Sequence, residues 1–319
     1  MSFNIIGTGH ALPQKSVTNQ DFCSILDTDD EWIFSKTGIS ERRILSEESL
    51  TDLSEKAVKN AFENAKIDPK EIDLVICATL CGDTHSPSQA CLTAKRFDMV
   101  CPAFDINAAC SGFIYALDIA AGYFMRKRVK KVLILCAEQM SRHLDFSNRS
   151  TCVLFGDGAA AVILGDGDGL LSIKISAVPD EHMIRIPFTG GNSPFNAREY
   201  EKPFLTMAGQ EVYRFAVSSA INDLGFVMRD AKLRKDQIAY VLLHQANMRI
   251  SEAVREKMGM SKEKFLACIQ NTGNVSAVTI PMLLDNASRQ GLLKDDDILA
   301  VAGFGAGLTT AACMLKWKN

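Results

Sequence analysis

The sequence predicts a duplicated α/β fold. Three observations carry that reading. Apolar runs of strand length alternate with helical patterns, most of the runs are apolar without interruption, and the same order of elements occurs twice with nearly the same spacing.

Residues 49–66 have helical periodicity, with Leu53, Ala57, Val58, Ala61 and Phe62 on one face. A turn at Asp68 and Pro69 follows, then an apolar strand at 72–79, continuous enough to be covered on both faces. The second half repeats this plan with a helix at 212–224, a polar turn at 234–237 and a buried strand at 238–245. Residues 104–107 form a short strand that leads to Cys110 and an apolar helix. The charged stretch 126–131 ends that helix, and a strand at 132–137 follows. Its counterpart is expected to run from 266–271 through Gly273-Asn274 into a helix past Met282 and Leu284, a turn at 291–297 and a strand at 298–302. Each half closes on an apolar strand, 159–164 and 309–315. Two units of about 160 residues result. The boundary falls in the Gly-Asp run at 165–169, giving halves 1–168 and 169–319.

Bulk properties narrow the function. With 319 residues and 47% hydrophobic content the chain can bury a large core. A net charge of −3 gives no electrostatic basis for nucleic-acid binding. The apolar runs are strand-length, so no transmembrane helix is expected, and residues 1–9 lack a secretory pattern. A cytoplasmic protein is expected, its ten cysteines being thiols and not a disulfide framework. Cys77 and Cys81 have no matching His or Cys pair, which disfavours zinc.

Helix N-termini after parallel strands are natural reactive positions. The first half places Cys110 there, where the positive end of the helix dipole is expected to favour thiolate. The second half places Asn274 there. It also puts His244 at the end of its strand, where the first half has Ala78. Each residue has a plainer reading: Cys110 as a small buried hydrophobe, His244 as a hydrogen-bonded core residue, Asn274 as an N-cap.

Five motifs add specificity: Asn107-Ala-Ala-Cys-Ser-Gly-Phe113, Phe155-Gly-Asp-Gly-Ala159, His244-Gln-Ala-Asn247, Gly273-Asn-Val-Ser-Ala277 and Gly303-Phe-Gly-Ala-Gly307. With them the chain resembles, over nearly its whole length, the thiolase-fold condensing enzymes, and most closely the 3-oxoacyl-[acyl-carrier-protein] synthase III family. The resemblance implies a five-layered αβαβα sandwich and a catalytic triad of Cys110, His244 and Asn274. It implies that Cys110 takes an acyl group from acyl-CoA. Malonyl-ACP then loses carbon dioxide and attacks the acyl-enzyme. No cofactor is implied beyond these substrates. The backbone N–H groups of Cys110 and Ala306 are the implied oxyanion donors. Trp32, Lys36, Arg149 and Asn247 are the implied contacts for CoA and pantetheine. Arg214, Arg249, Arg255 and Lys257 are the candidate docking cations for acidic ACP. A homodimer is implied, with the loop at Ser86 reaching the partner's primer pocket.

The chain departs from the family pattern at Ser86, Val275, Val278, Ala306 and Thr310, which suggests a reshaped primer pocket. Two competing readings remain: a specialised enzyme moving an unusual acyl group to another acceptor, and a non-catalytic acyl-CoA- or ACP-binding protein.

Overall fold

The structure, a computed structural model, describes residues 2–80, 82–188, 190, 193–195 and 199–318. Cys81 lies outside them. β1 (Ser2–Ala11) opens the chain, and the short strands β2 (Ser16–Thr18) and β3 (Glu41–Arg43) pair around α1 (Asn19–Cys23) and α2 (Asp30–Thr37). α3 (Leu50–Ala65) forms where the periodicity predicts a helix. The Ser49 hydroxyl accepts from the Asp52 N–H, the Asp52 carboxylate accepts in return from the Ser49 N–H, and all five predicted apolar residues are buried. β4 (Leu74–Ala78) is buried at every residue. α4 (Gln89–Arg96), β5 (Ala103–Ile106), α5 (Gly112–Met125), β6 (Lys131–Gln139) and β7 (Asp157–Gly167) complete the first half. Its sheet runs β1-β7-β6-β4-β5.

The chain crosses to the second sheet at Asp168 and Gly169. There follow β8 (Leu170–Asp180), the antiparallel pair β9 (Ile184–Arg185) and β10 (Thr206–Met207), and α6 (Gly209–Asp230), which outruns the predicted helix at both ends. β11 (Ile238–Leu243), α7 (Met248–Met258), α8 (Ile269–Thr272), α9 (Thr279–Arg289), β12 (Ile298–Gly305) and β13 (Gly307–Lys316) complete it, with sheet order β11-β12-β13-β8. α3 and α4 cover the outside of the first sheet, α6 and α7 the outside of the second, and α5 and α9 fill the space between. This is the five-layered αβαβα sandwich. A single core runs through the middle layer, joining Phe113 and Ile114 of α5 to Leu283 of α9 and Val301 of β12.

Two expectations need correction. Residues 266–271 form no strand. Phe265 makes one bridge to Val241, and the chain then turns into α8, whose Thr272 hydroxyl donates back to the Cys268 carbonyl at 3.1 Å. Phe265, Leu266, Cys268 and Ile269 are apolar at spacings that suit a helical turn as well as a strand, and period alone did not separate the two. The second correction concerns Asn274. In each half a 3₁₀ turn precedes the buried helix, over 109–111 and 276–278. The turns share an Asx bond: Asn107 Oδ1 accepts from the Ala109 N–H at 3.2 Å, and Asn274 Oδ1 from the Ser276 N–H at 2.9 Å. Ala109 and Ser276 have φ values of 46° and 48°. Asn274 therefore corresponds to Asn107, and Cys110 corresponds to Ala277.

The Asn274 turn is pinned to the first half. Its N–H donates to the Leu154 carbonyl at 2.8 Å, and its carbonyl accepts from the Gly156 N–H at 3.1 Å. This approach requires glycine at both contacts. A Cβ on Gly156 would lie 2.3 Å from the Thr272 carbonyl oxygen, and one on Gly273 (φ +65°) 2.9 Å from the Leu154 oxygen. Beneath the seam the buried Arg42 guanidinium donates to the Val153 carbonyl and, at 2.8 Å, to Asn19 Oδ1. Gly156→Ala is expected to cost ~1–3 kcal/mol by forced overpacking. Denaturant unfolding should show this as a lower midpoint with an unchanged slope. Wild-type stability in the variant would contradict the close approach.

Candidate active site

Cys110, His244 and Asn274 line one small cavity of about 60 Å³. Its other walls are apolar, with Met140, Phe155, Ile184, Leu205, Phe215 and Phe304 among them. Cys110 sits in the 3₁₀ turn ahead of α5 and is partly accessible from the cavity, although protein surrounds its sulfur. Burial pushes its thiol up to about 12. The α5 dipole favours thiolate, but such effects reach at most ~2 kcal/mol. Burial and the dipole thus act on the thiol in opposite directions.

His244 follows the last residue of β11 and is 1% exposed. Its N–H donates to the Ala302 carbonyl at 2.9 Å, and its Nδ1 lies 2.8 Å from Thr279 Oγ1. The ring meets Phe304 edge-on with centroids 5.2 Å apart. Burial without a carboxylate partner lowers its pKa to about 3, so it is neutral at every physiological pH. Asn274 Oδ1 is held by the Ser276 N–H, which leaves Nδ2 as the donor on this residue.

Ala306 lines the cavity, and Gly305 backs onto Cys110: a Cβ there would lie 2.7 Å from the Cys110 nitrogen. Any side chain at 305 would cover that N–H. Of the other departures from the family pattern, Val275, Val278 and Thr310 are buried but do not line the cavity. β13 pairs with both β12 and β8 along its length.

A wider cleft of about 880 Å³ opens to the surface and shares Phe155, Met207, Val212, Ala246 and Asn274 with the cavity. Trp32, Lys36, Asn247, Arg214 and Arg249 line it. The Arg149 guanidinium lies 4.9 Å over the Trp32 ring. Asn247 caps α7, Oδ1 accepting from the Arg249 N–H at 2.9 Å, while Nδ2 donates to the Lys36 carbonyl at 3.0 Å. Its Oδ1 is thus committed to the cap of α7 and its Nδ2 joins that cap to α2. The four candidate docking cations separate. Arg214 and Arg249 stand at the cleft, Arg255 is paired with Glu252 at 2.8 Å and Glu256 at 3.4 Å, and Lys257 is exposed outside it. Ser86 is exposed and lines no part of the Cys110 cavity of its own chain. Its loop neighbours Thr84 and His85 line a separate cleft of about 420 Å³ beyond Leu80. Among the described residues no group of His, Cys, Asp and Glu has metal-binding geometry, and no helix is long and apolar enough to cross a membrane.

Sequence reasoning missed Thr279. The register of the repeats held a signal for Thr279. Ala78 corresponds to His244 and Gly112 to Thr279, so the one polar pair replaces two of the smallest residues.

Family profiles described as 3-oxoacyl-[acyl-carrier-protein (ACP)] synthase III and its C-terminal region match residues 104–179 and 228–317. A protein of Clostridium acetobutylicum named beta-ketoacyl-[acyl-carrier-protein] synthase III is 42% identical over 100% of this chain and 99% of its own. The crystal structure of 3-oxoacyl-[acyl-carrier-protein] synthase III from Aquifex aeolicus superposes with a TM-score of 0.92 at 39% identity, covering 99% of this chain and 100% of that one. The priming beta-ketosynthase of the R1128 polyketide pathway gives 0.91 at 29%, covering 100% and 97%.

The buried His244 ring should not titrate near neutrality. Its folded pKa is depressed, so the unfolded chain binds a proton that the folded chain refuses once pH falls below the ordinary histidine value of 6.5, and stability drops from there toward about 3. Ring resonances followed by NMR from pH 8 to 5 should stay in the neutral position. A midpoint near 6.5 would contradict the buried environment.

Proposed function

The chain belongs to the 3-oxoacyl-[acyl-carrier-protein] synthase III family, and from that premise we propose that Cys110, His244 and Asn274 carry its reaction. It is an acyltransferase that condenses an acyl-CoA primer with malonyl-ACP and so opens fatty acid synthesis. The observation that carries the assignment of roles is the convergence of one thiol and two neutral donors on a single apolar cavity.

In the first step Cys110 Sγ attacks the acyl thioester and CoA leaves. The tetrahedral oxyanion needs fixed donors, and the N–H groups of Cys110 and Ala306 supply them, the former left uncovered by Gly305. In the second step malonyl-ACP loses carbon dioxide, and negative charge grows on its thioester oxygen. His244 and Asn274 Nδ2 donate to that oxygen. Thr279 positions the ring through the 2.8 Å contact of its Oγ1 with Nδ1, its hydroxyl also reaching the Ser276 carbonyl at 3.0 Å, and donation to the thioester oxygen uses the tautomer with the proton on Nε2. A dry apolar wall strengthens these bonds and keeps water from the acyl-enzyme. The carbanion attacks the acyl carbon and 3-oxoacyl-ACP departs.

The wide cleft is the route for the pantetheine arm. Trp32 offers a ring face to the CoA base once Arg149 moves aside, and Lys36, Arg214 and Arg249 offer charge to phosphates and to acidic ACP. Residues 1–168 contribute the nucleophile and residues 169–319 the decarboxylation donors. We place the protein in the cytoplasm as a homodimer in which Ser86 serves the partner's pocket, because its loop lies off the Cys110 cavity of its own chain. Light scattering on the eluting protein should give twice the chain mass of 34.9 kDa. A monomer would rule that assembly out.

The roles separate kinetically. Asn274→Ala and His244→Ala should lower malonyl decarboxylation by about 10²–10³, the usual loss for one oxyanion donor, while acyl loading of Cys110 stays within about tenfold of wild type. Thr279→Val, which keeps the shape and removes the hydroxyl, should follow the same split to a smaller degree. Equal losses in loading and decarboxylation would refute the division of labour.

A further inference from the structure

The duplication supplies an internal comparison for the passages around the nucleophile. Ala78 corresponds to His244 and Asn107 to Asn274, so Leu80 corresponds to Ala246. The Cys110 cavity adjoins a cleft on each side. On the second-half side Ala246 and Asn274 line both the cavity and the cleft of about 880 Å³ that offers the route for pantetheine. On the first-half side Leu80 lines both the cavity and the cleft of about 420 Å³, whose wall includes Asn107. The two clefts thus meet the cavity at equivalent points of the repeats. They differ in the side chain at the mouth, a methyl group at Ala246 and an isobutyl group at Leu80.

Among the described residues, Leu80 shares that position with Ile186 alone, which also lines both the cavity and the smaller cleft. Both are half-buried and pack on the apolar cluster that holds Met140, Phe155 and Leu205. Backbone contacts hold each in place. The Leu80 N–H donates at 3.0 Å to Glu138 Oε2, on a carboxyl only 1% exposed. Ile186 follows β9, and the β9–β10 ribbon is tied down on both sides. The Leu205 N–H donates to the His143 carbonyl at 2.7 Å, and the Ala208 N–H to the Met183 carbonyl at 2.8 Å. Beyond this pair the cleft wall is mixed, with Thr79, Asp105, Asn107 and His143 beside Ile106 and Phe188.

We propose that Leu80 and Ile186 form the end wall of the primer pocket and set the length of the acyl group that Cys110 accepts. The inference rests on the reading of Cys110 as the acylated nucleophile. Pantetheine reaches the cavity past Ala246, and the acyl chain leaves the thioester carbonyl on the opposite side. It therefore runs toward Leu80. A water-sized group needs roughly 10–15 Å³. The cavity of about 60 Å³ then holds about four to six non-hydrogen atoms. That is room for acetyl, propionyl or butyryl and not for hexanoyl. The substrate class is a short-chain acyl-CoA of about two to four carbons.

A longer primer must displace one of two side chains whose backbones are held, and close-packed walls resist that. Truncating either side chain joins the cavity to the cleft of about 420 Å³ and gives the tail somewhere to go. Both wall residues belong to the chain that carries Cys110, so the limit operates within one chain. The loop at Thr84 and His85 borders the space beyond the wall and not the Cys110 cavity itself. Leu80 and Ile186 act on the tail of the primer, while Cys110, His244 and Asn274 act at the thioester. Chain length and chemistry are therefore separable by substitution.

The test is the rate of Cys110 loading by straight-chain acyl-CoAs from acetyl to decanoyl, followed by rapid-quench mass spectrometry. The proteins are wild type, Leu80→Ala, Ile186→Ala and Ala246→Leu, each first checked for native circular dichroism. Wild type should load acetyl to butyryl and lose about 10–200-fold at hexanoyl, the usual penalty for a methylene that a pocket cannot hold. Leu80→Ala and Ile186→Ala should keep acetyl loading within about tenfold and regain most of the loss at hexanoyl and octanoyl. General damage to the fold would lower all chain lengths and leave their ratio unchanged. Ala246→Leu should do that, because it narrows the pantetheine passage. If Leu80→Ala does not fold, Ile186→Ala decides. Decanoyl loading of wild type at the acetyl rate, or a wild-type chain-length profile in the folded wall variants, would overturn the proposal and leave Cys110 as nucleophile. Absence of loading in wild type by every acyl-CoA would instead overturn the reading of Cys110 together with the proposal.

Discussion

The contact on which the site depends is the backbone seam between residues 154–156 and Asn274. Two hydrogen bonds, of 2.8 and 3.1 Å, join the halves there, and the seam closes only because Gly156 and Gly273 present no side chain to the opposing carbonyls. It fixes Asn274 in depth and direction, and the Asx bond to Ser276 then sets which end of its amide faces the cavity. The Arg42 guanidinium, over the Phe22 ring at 4.7 Å, ties the loop before Phe155 to the α1–β3 region. A nucleophile from one half and donors from the other can meet only if such a seam is rigid.

The second constraint is dryness. Burial drives Cys110 up to about 12, His244 down to about 3 and Glu138 up to about 8, so all three tend toward their neutral forms. A neutral imidazole beside a neutral amide suits an oxygen that gains charge, because neither repels it and both avoid the cost of a buried ion. The same dryness makes thiol deprotonation difficult.

Much of this was legible in the amino acids. The uninterrupted apolar runs at 74–78 and 238–243 signalled strands covered on both faces, and the repeated order of elements signalled duplication. His244 stood out because the repeats differ there, Ala78 being its counterpart, and Cys110 because it leads into a buried helix after a parallel strand. The strand expected at 266–271 failed because Phe265 to Ile269 fit either period over so short a run. Asn274 was set opposite Cys110 because both lie ahead of a buried helix, and only the paired Asx turns reveal the shift of three positions. Thr279 was hidden for another reason. Threonine is a common surface residue, and nothing local in the sequence marks one that meets a buried histidine ring. Arg255, expected as a docking cation, is paired in the fold with Glu252 and Glu256.

The central claim is that the Cys110 sulfur carries the acyl group. Intact-protein mass spectrometry after incubation with a panel of acyl-CoAs, wild type beside Cys110→Ala, tests it most directly. The account predicts a gain of one acyl group per chain in wild type, none in the variant, and discharge of the acyl-enzyme on adding malonyl-ACP. An equal gain in both proteins, or a loaded wild type that malonyl-ACP leaves unchanged, would contradict it.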